Sequence, residues 1–184
     1  ITNPEEISTL VNKNYRLPQD YTPNDLALIS PTFSKGEKYL RKEAKQAFEK
    51  LGADASEKGY TIRLSSGFRS YEYQKILYTY YVNHNGKEYA DLCSARPGHS
   101  EHQTGLSFDV EGSLYDYNRF EETKEFLWMK ENAHRYGFIL RYPKGKEKIT
   151  GFKYEPWHYR YVGKEIAGII KENNLTLEEY LSQT

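Results

Sequence analysis

Cysteine is almost absent: Cys93 is the only one among 184 residues. No intrachain disulfide can form, so the fold must be held by its core. A cytosolic protein fits this usage, and so does an exported protein of a bacterium that does without disulfides. A nucleophilic Cys93 would need a paired histidine; the simpler reading is a buried structural thiol. Net charge is absent as well, with 26 Lys plus Arg against 26 Asp plus Glu. That balance excludes the electrostatic footprint of a dedicated nucleic-acid binder. The nearest basic run, KGKEK at 144–148, contains a glutamate and is expected as a solvated loop. No apolar run approaches the roughly 18 residues of a membrane span. The chain opens ITNPEE, without Met or a signal-peptide pattern. An export signal or anchor is therefore expected to have been removed. There is no internal repeat and no low-complexity tract.

Tyrosine is abundant: 18 residues against 8 Phe and 2 Trp. A flat face with a polar tip suits clefts for glycans or peptides, and equally suits a half-exposed sheet. Hydrophobic residues at 38% and charged residues at 28% describe a globular chain, with length for one domain.

Residues 1–35, rich in Pro, Asn and Ser, read as an extended N-terminal arm, and 36–184 as the domain proper. Apolar steps of three and four from Tyr39 to Leu51 predict a helix over 36–51. YTIRLSS at 60–66 alternates like a half-buried strand. Ser70 can cap a helix over 71–83. A short helix near 87–92 precedes the turn RPGH. LSFDVEG at 106–112 predicts a strand with Ser107 and Asp109 on one face. An amphipathic helix over 121–135 ends before Gly137, and the strand FILRY follows at 138–142. Helices are expected near 163–173 and 176–182, the latter with a Thr176–Glu179 capping box. Helices and strands without βαβ alternation argue an α+β fold: one domain with a central, mostly antiparallel sheet flanked by helices.

Three stretches could carry chemistry. GHSEHQTGLSFDV at 98–110 holds His99, Glu101, His102 and Asp109; EPWH holds Glu155 and His158; SGFRSYEYQ at 66–74 holds Arg69. His84 reads as a surface turn residue and His134 as a helix C-terminal cap. His102, Asp109 and His158 could form a His₂–Asp set for a borderline cation, with Glu155 beside it to act on water. Seven extended residues would part His102 from Asp109 by about 23–25 Å, so a turn at Thr104–Gly105 must fold the segment back. Spacing alone leaves a second reading open, a satisfied polar turn in front of a core strand. Arg69 is likewise either a cleft guanidinium or a surface residue between strand and helix. Ser66 and Ser70 read as caps rather than nucleophiles.

Together SGFRSYEYQ, ARPGHSEHQTGLSFDV and EPWHYRYVG closely resemble the VanY-type D-alanyl-D-alanine carboxypeptidases, zinc peptidases that trim D-alanine from peptidoglycan stem peptides. The resemblance covers about Gly59 to Gly163 and rests on Ser-x-His-x6-Asp together with Glu-x-x-His. It implies a hedgehog/DD-peptidase-like fold and one Zn²⁺ per chain held by His102, Asp109 and His158. It further implies Glu155 as catalytic base and then acid, and Arg69 at the scissile carbonyl. Gln74 and Ser100 fall where the family has polar substrate contacts. His99 is expected to shape the turn and Glu101 to be solvated. Ser107 stands where the family often has Ala and could support Asp109. Trp157 reads as cleft wall or core, and Tyr159 as a candidate hydroxyl.

The implied reaction is hydrolysis of terminal D-Ala in cell-wall remodelling, at D-Ala–D-Ala of a pentapeptide or at L-Lys (or diaminopimelate)–D-Ala of a tetrapeptide. YEYQKILYTYYVN and SARPGHSEHQTG look at least as close to the L,D-cutting branch. The expected setting is an extracellular, cell-wall-facing monomer whose partner is the stem peptide. Two alternatives remain: a non-catalytic zinc-stabilised module binding peptidoglycan or protein, and an endopeptidase with a cleft open at both ends.

Overall fold

The computed structural model describes residues 1–183, and the frame it shows is one four-stranded antiparallel sheet with helices around it. Strands β1 (Leu26–Leu28) and β2 (Tyr39–Arg41) form a separate antiparallel pair, Leu26 opposite Arg41. The helix expected over 36–51 therefore starts later. Residues 39–41 are drawn into pairing with the N-terminal segment, a tertiary contact that overrides their helical spacing. Helix α1 runs Lys42–Glu57 and buries Ala44, Phe48, Leu51, Gly52 and Ala55 along one face.

The main sheet contains β3 (Arg63–Ser66), β4 (Ser107–Glu111), β5 (Phe138–Leu140) and β6 (His158–Tyr161), in the order β3-β4-β6-β5. Alternation divides β4 and β6 between two environments. Phe108 and Val110 join Tyr159 and Tyr161 in the core with Phe48 and Leu51. Phe108 is the hinge of that packing, with ring centroids 4.8 Å from Phe48 and 5.2 Å from Phe138. The opposite face presents Ser107, Asp109, His158 and Arg160. Register sets Ser107 across from Arg160 and Asp109 across from His158. One residue of slip in either strand would send its pair of these residues into the core.

Helix α2 (Tyr71–Asn85) starts where Ser70 Oγ accepts from Tyr73 N at 3.0 Å. Gln74 is its one fully buried residue, so α2 packs lightly and lies along the cleft with α3 (Lys87–Cys93). The helix expected over 121–135 is three pieces: a 3₁₀ segment Tyr117–Glu122, α4 (Lys124–Asn132), and a 3₁₀ turn Ala133–Tyr136. Thr123 restarts the helix, its hydroxyl accepting from Phe126 N. The strand at 138–142 is shorter than expected and ends at Leu140; Arg141 N still donates to His158 O at 3.2 Å, and Tyr142 lies in the wall of the site. KGKEK is no free loop: Lys146 pairs with Glu179 at 2.9 Å, and α5 (Glu147–Thr150) follows. Helices α6 (Lys164–Asn173) and α7 (Leu177–Ser182) close the chain, α7 with the Thr176–Glu179 capping box in both directions. Among the described residues no helix is long and apolar enough to cross a membrane.

Candidate metal centre

Between Ser100 and Gly105 the chain makes the fold-back that the spacing requires. Ser100 Oγ accepts from His102 N, residues Glu101–Thr104 form a 3₁₀ turn, and Gly105 takes φ +70°. Thr104 Oγ accepts from Leu106 N at 3.0 Å, which launches β4. The second half of the site is another turn, with His158 N donating to Glu155 O at 3.2 Å and Glu155 N to Tyr142 O at 3.0 Å. Glu155 and His158 consequently face the same cleft.

One ligating atom each from His102, Asp109 and His158 lie within 4.8 Å of one another, and all three residues are buried. Asp109 Oδ1 is 2.9 Å from His158 Nδ1 and 3.4 Å from His102 Nε2. The other ring nitrogens are already engaged. His102 Nδ1 meets Gly67 O at 2.8 Å, and His158 Nε2 lies 3.2 Å from Glu101 Oε2. Two imidazoles, each steadied from behind, and a carboxylate, all with a cleft in front, fit Zn²⁺ with an open position. Burial opposes charge on Asp109, but the two histidines beside it keep its carboxyl well below the usual range. His102 is pushed down by burial and by Arg69. Burial works against a charged His158 too, yet Asp109 and Glu101 raise it to about 9.

The cleft holds about 120 Å³ and is walled by Tyr81, Tyr117, Tyr142, Phe152 and Trp157. Glu155 lines it, and burial lifts its carboxyl to about 7, with His158 opposing and Asp109 adding to the shift. Arg69 enters from the β3–α2 turn, Nη2 3.5 Å from Asp109 Oδ2. Gln74 Nε2 donates to Ser94 Oγ and Ala95 O, while its buried Oε1 has no partner. Ser100 is buried in the same wall. The structure thus brings together His102, Asp109, His158, Glu155, Arg69, Gln74 and Ser100.

Four expectations change. Glu101 is not solvated: it is 1% exposed and accepts from Arg141, Arg160 and Ser107. Ser107 accordingly supports Glu101 rather than Asp109. Tyr159 points to the core face of β6, stacked 6.0 Å from Phe108, so its hydroxyl is outside the cleft. Cys93 is half-buried and lines the cleft, with burial raising its thiol. His99 does fix the turn, its Nδ1 2.8 Å from Asn12 O. Arg141, Arg160 and Tyr142 were missed. Tyr142 stacks on His158 at 4.8 Å. Arg160 had a readable signal, since period-two alternation puts it on the face of His158.

The family model for VanY, D-alanyl-D-alanine carboxypeptidase, matches residues 37–164. The chain belongs to that family. It is 39% identical over 181 residues to a D-alanyl-D-alanine carboxypeptidase of Enterococcus faecium, covering 94% of this chain and 56% of the relative. Among solved structures, the LdcB LD-carboxypeptidase superposes with TM-score 0.94 at 45% identity, covering 100% of this chain and 89% of the other. A D,D-pentapeptidase VanY from a VanB-type resistance cassette, solved with Zn(II), gives TM-score 0.82 at 33% identity over 95% and 98% of the two chains.

Proposed function

We propose that the protein is a zinc-dependent carboxypeptidase that removes terminal D-Ala from peptidoglycan stem peptides outside the cell, acting as a monomer. The single observation that carries this reading is Glu155, a carboxyl held near neutrality in the cleft that also presents His102, Asp109 and His158. The ion, held by those three residues, would acidify water and polarise the scissile carbonyl. Glu155 takes a proton from water and delivers it to the departing D-Ala amine. Arg69 offers its guanidinium to the oxygen on which negative charge builds. The unpartnered Gln74 Oε1 accepts from a substrate N–H, and Ser100 supplies a polar contact beside it. The tyrosine walls exclude water and hold the peptide.

Cleavage of the L,D bond of a tetrapeptide is the favoured form of this activity. Its support is identity: 45% to the LD-carboxypeptidase against 39% to the Enterococcus faecium D-alanyl-D-alanine carboxypeptidase and 33% to the D,D-pentapeptidase. A non-catalytic zinc module would have no use for a base at position 155. The test is release of D-Ala from purified tetrapeptide by the intact protein, before and after chelation. Release should stop on chelation and return with Zn²⁺. Release indifferent to metal removes the proposal.

A further inference from the structure

We propose that Glu101 is the residue that fixes how His158 meets the metal, and that it anchors this histidine to both ends of the chain. The inference rests on the zinc reading above and adds a residue to it. Glu101 is buried in the turn that carries His102, yet four groups converge on its carboxylate. Arg141 Nε and Arg160 Nη1 reach Oε1, and Ser107 Oγ donates to Oε2 at 2.9 Å. His158 Nε2 stands 3.2 Å from the same Oε2. Both arginines are themselves fully buried, at 0% exposure. A carboxylate held by two guanidiniums has little freedom to move or to give up its charge. It presents one fixed acceptor to His158 Nε2–H and turns Nδ1 toward Asp109 Oδ1 at 2.9 Å, so that Nδ1 is the nitrogen that would exchange its proton for a cation. His102 has the opposite arrangement, Nδ1 on Gly67 O and Nε2 toward Asp109. The two histidines therefore offer different nitrogens to one ion.

The arginines carry the restraint outward. Arg141 Nη1 and Nη2 hold Glu178 of α7 at 2.7 and 2.8 Å, and Asn12 Nδ2 donates to the same carboxylate at 3.1 Å. Arg160 Nη2 donates to Ile7 O and Thr9 O at 2.8 and 2.7 Å. The N-terminal segment and α7 both lie outside the matched residues 37–164. They are nonetheless three hydrogen bonds from a proposed ligand, through an arginine and Glu101.

Two measurements test this. Imidazole ¹⁵N spectra of the wild-type zinc-loaded protein should show His158 metal-bound through Nδ1 with a slowly exchanging Nε2–H, and His102 the reverse. A His158 bound through Nε2 overturns the proposal without any variant. In Glu101→Asp the charge balance with the arginines stays, but the carboxylate withdraws by about 1.5 Å, one C–C bond. Zinc affinity, read by competition with a chelator, should weaken about 10–100-fold. The far-ultraviolet spectrum should stay wild-type. A folded Glu101→Asp with wild-type zinc affinity and turnover overturns the positioning role while leaving the proposed function standing. A wild-type protein that binds no zinc overturns both.

Discussion

A residue poised for proton transfer should cost the fold something, and Glu155 allows that cost to be measured. Its carboxyl stands at about 7 in the folded protein, against an ordinary 4.5. Below pH 4.5 the group is neutral in both folded and unfolded chains and nothing is lost. As pH rises from 4.5 toward 7 the unfolded chain ionises first, so stability falls, and the loss is complete above 7. That interval corresponds to about 3 kcal/mol. Because the carboxylate opens onto cleft water, about 1–2 kcal/mol is the realistic share. Glu155→Gln keeps the shape and removes the charge. In metal-free protein at pH 8, urea unfolding followed by circular dichroism should find Glu155→Gln more stable than wild type by that amount. The gap should shrink at pH 5. With zinc restored, D-Ala release by the same variant should fall by orders of magnitude. Equal stabilities at pH 8, or a destabilised Glu155→Gln, would refute the claim that burial holds this carboxyl near neutrality.

Two further outcomes follow from the geometry. Arg69→Ala should lower turnover about 10²–10³-fold, the usual effect of losing one oxyanion donor, with bound zinc unchanged by elemental analysis. Gly105→Ala should destabilise by about 1–3 kcal/mol in denaturant unfolding, since φ is +70° and the new Cβ would stand 2.9 Å from Arg41 Cγ and 3.0 Å from Leu26 Cδ2.

The residues that face the cleft were the legible part of the site. His102 with Asp109, and Glu155 with His158, could be singled out as metal-binding residue types at short spacing in two segments, although the family resemblance rather than the spacing chose a metal set over a polar turn, and Gly105 marks the turn that brings the first two together. Their supports were not legible for a physical reason. Glu101 looks like a surface glutamate because local sequence carries no trace of Arg141 and Arg160, which reach it from 40 and 59 residues away. Tyr159 failed differently: its alternation with His158 already pointed it at the core. In the fold, the α+β class and the cap of α2 could be read locally. The start of α1 could not, because only pairing with Leu26–Leu28 makes residues 39–41 a strand.

The central claim is tested most directly by giving the zinc-loaded protein purified tetra- and pentapeptide stems and weighing the products. The account predicts loss of a single terminal D-Ala, faster from the tetrapeptide. Intact stems, or a cut elsewhere in the peptide, would contradict it.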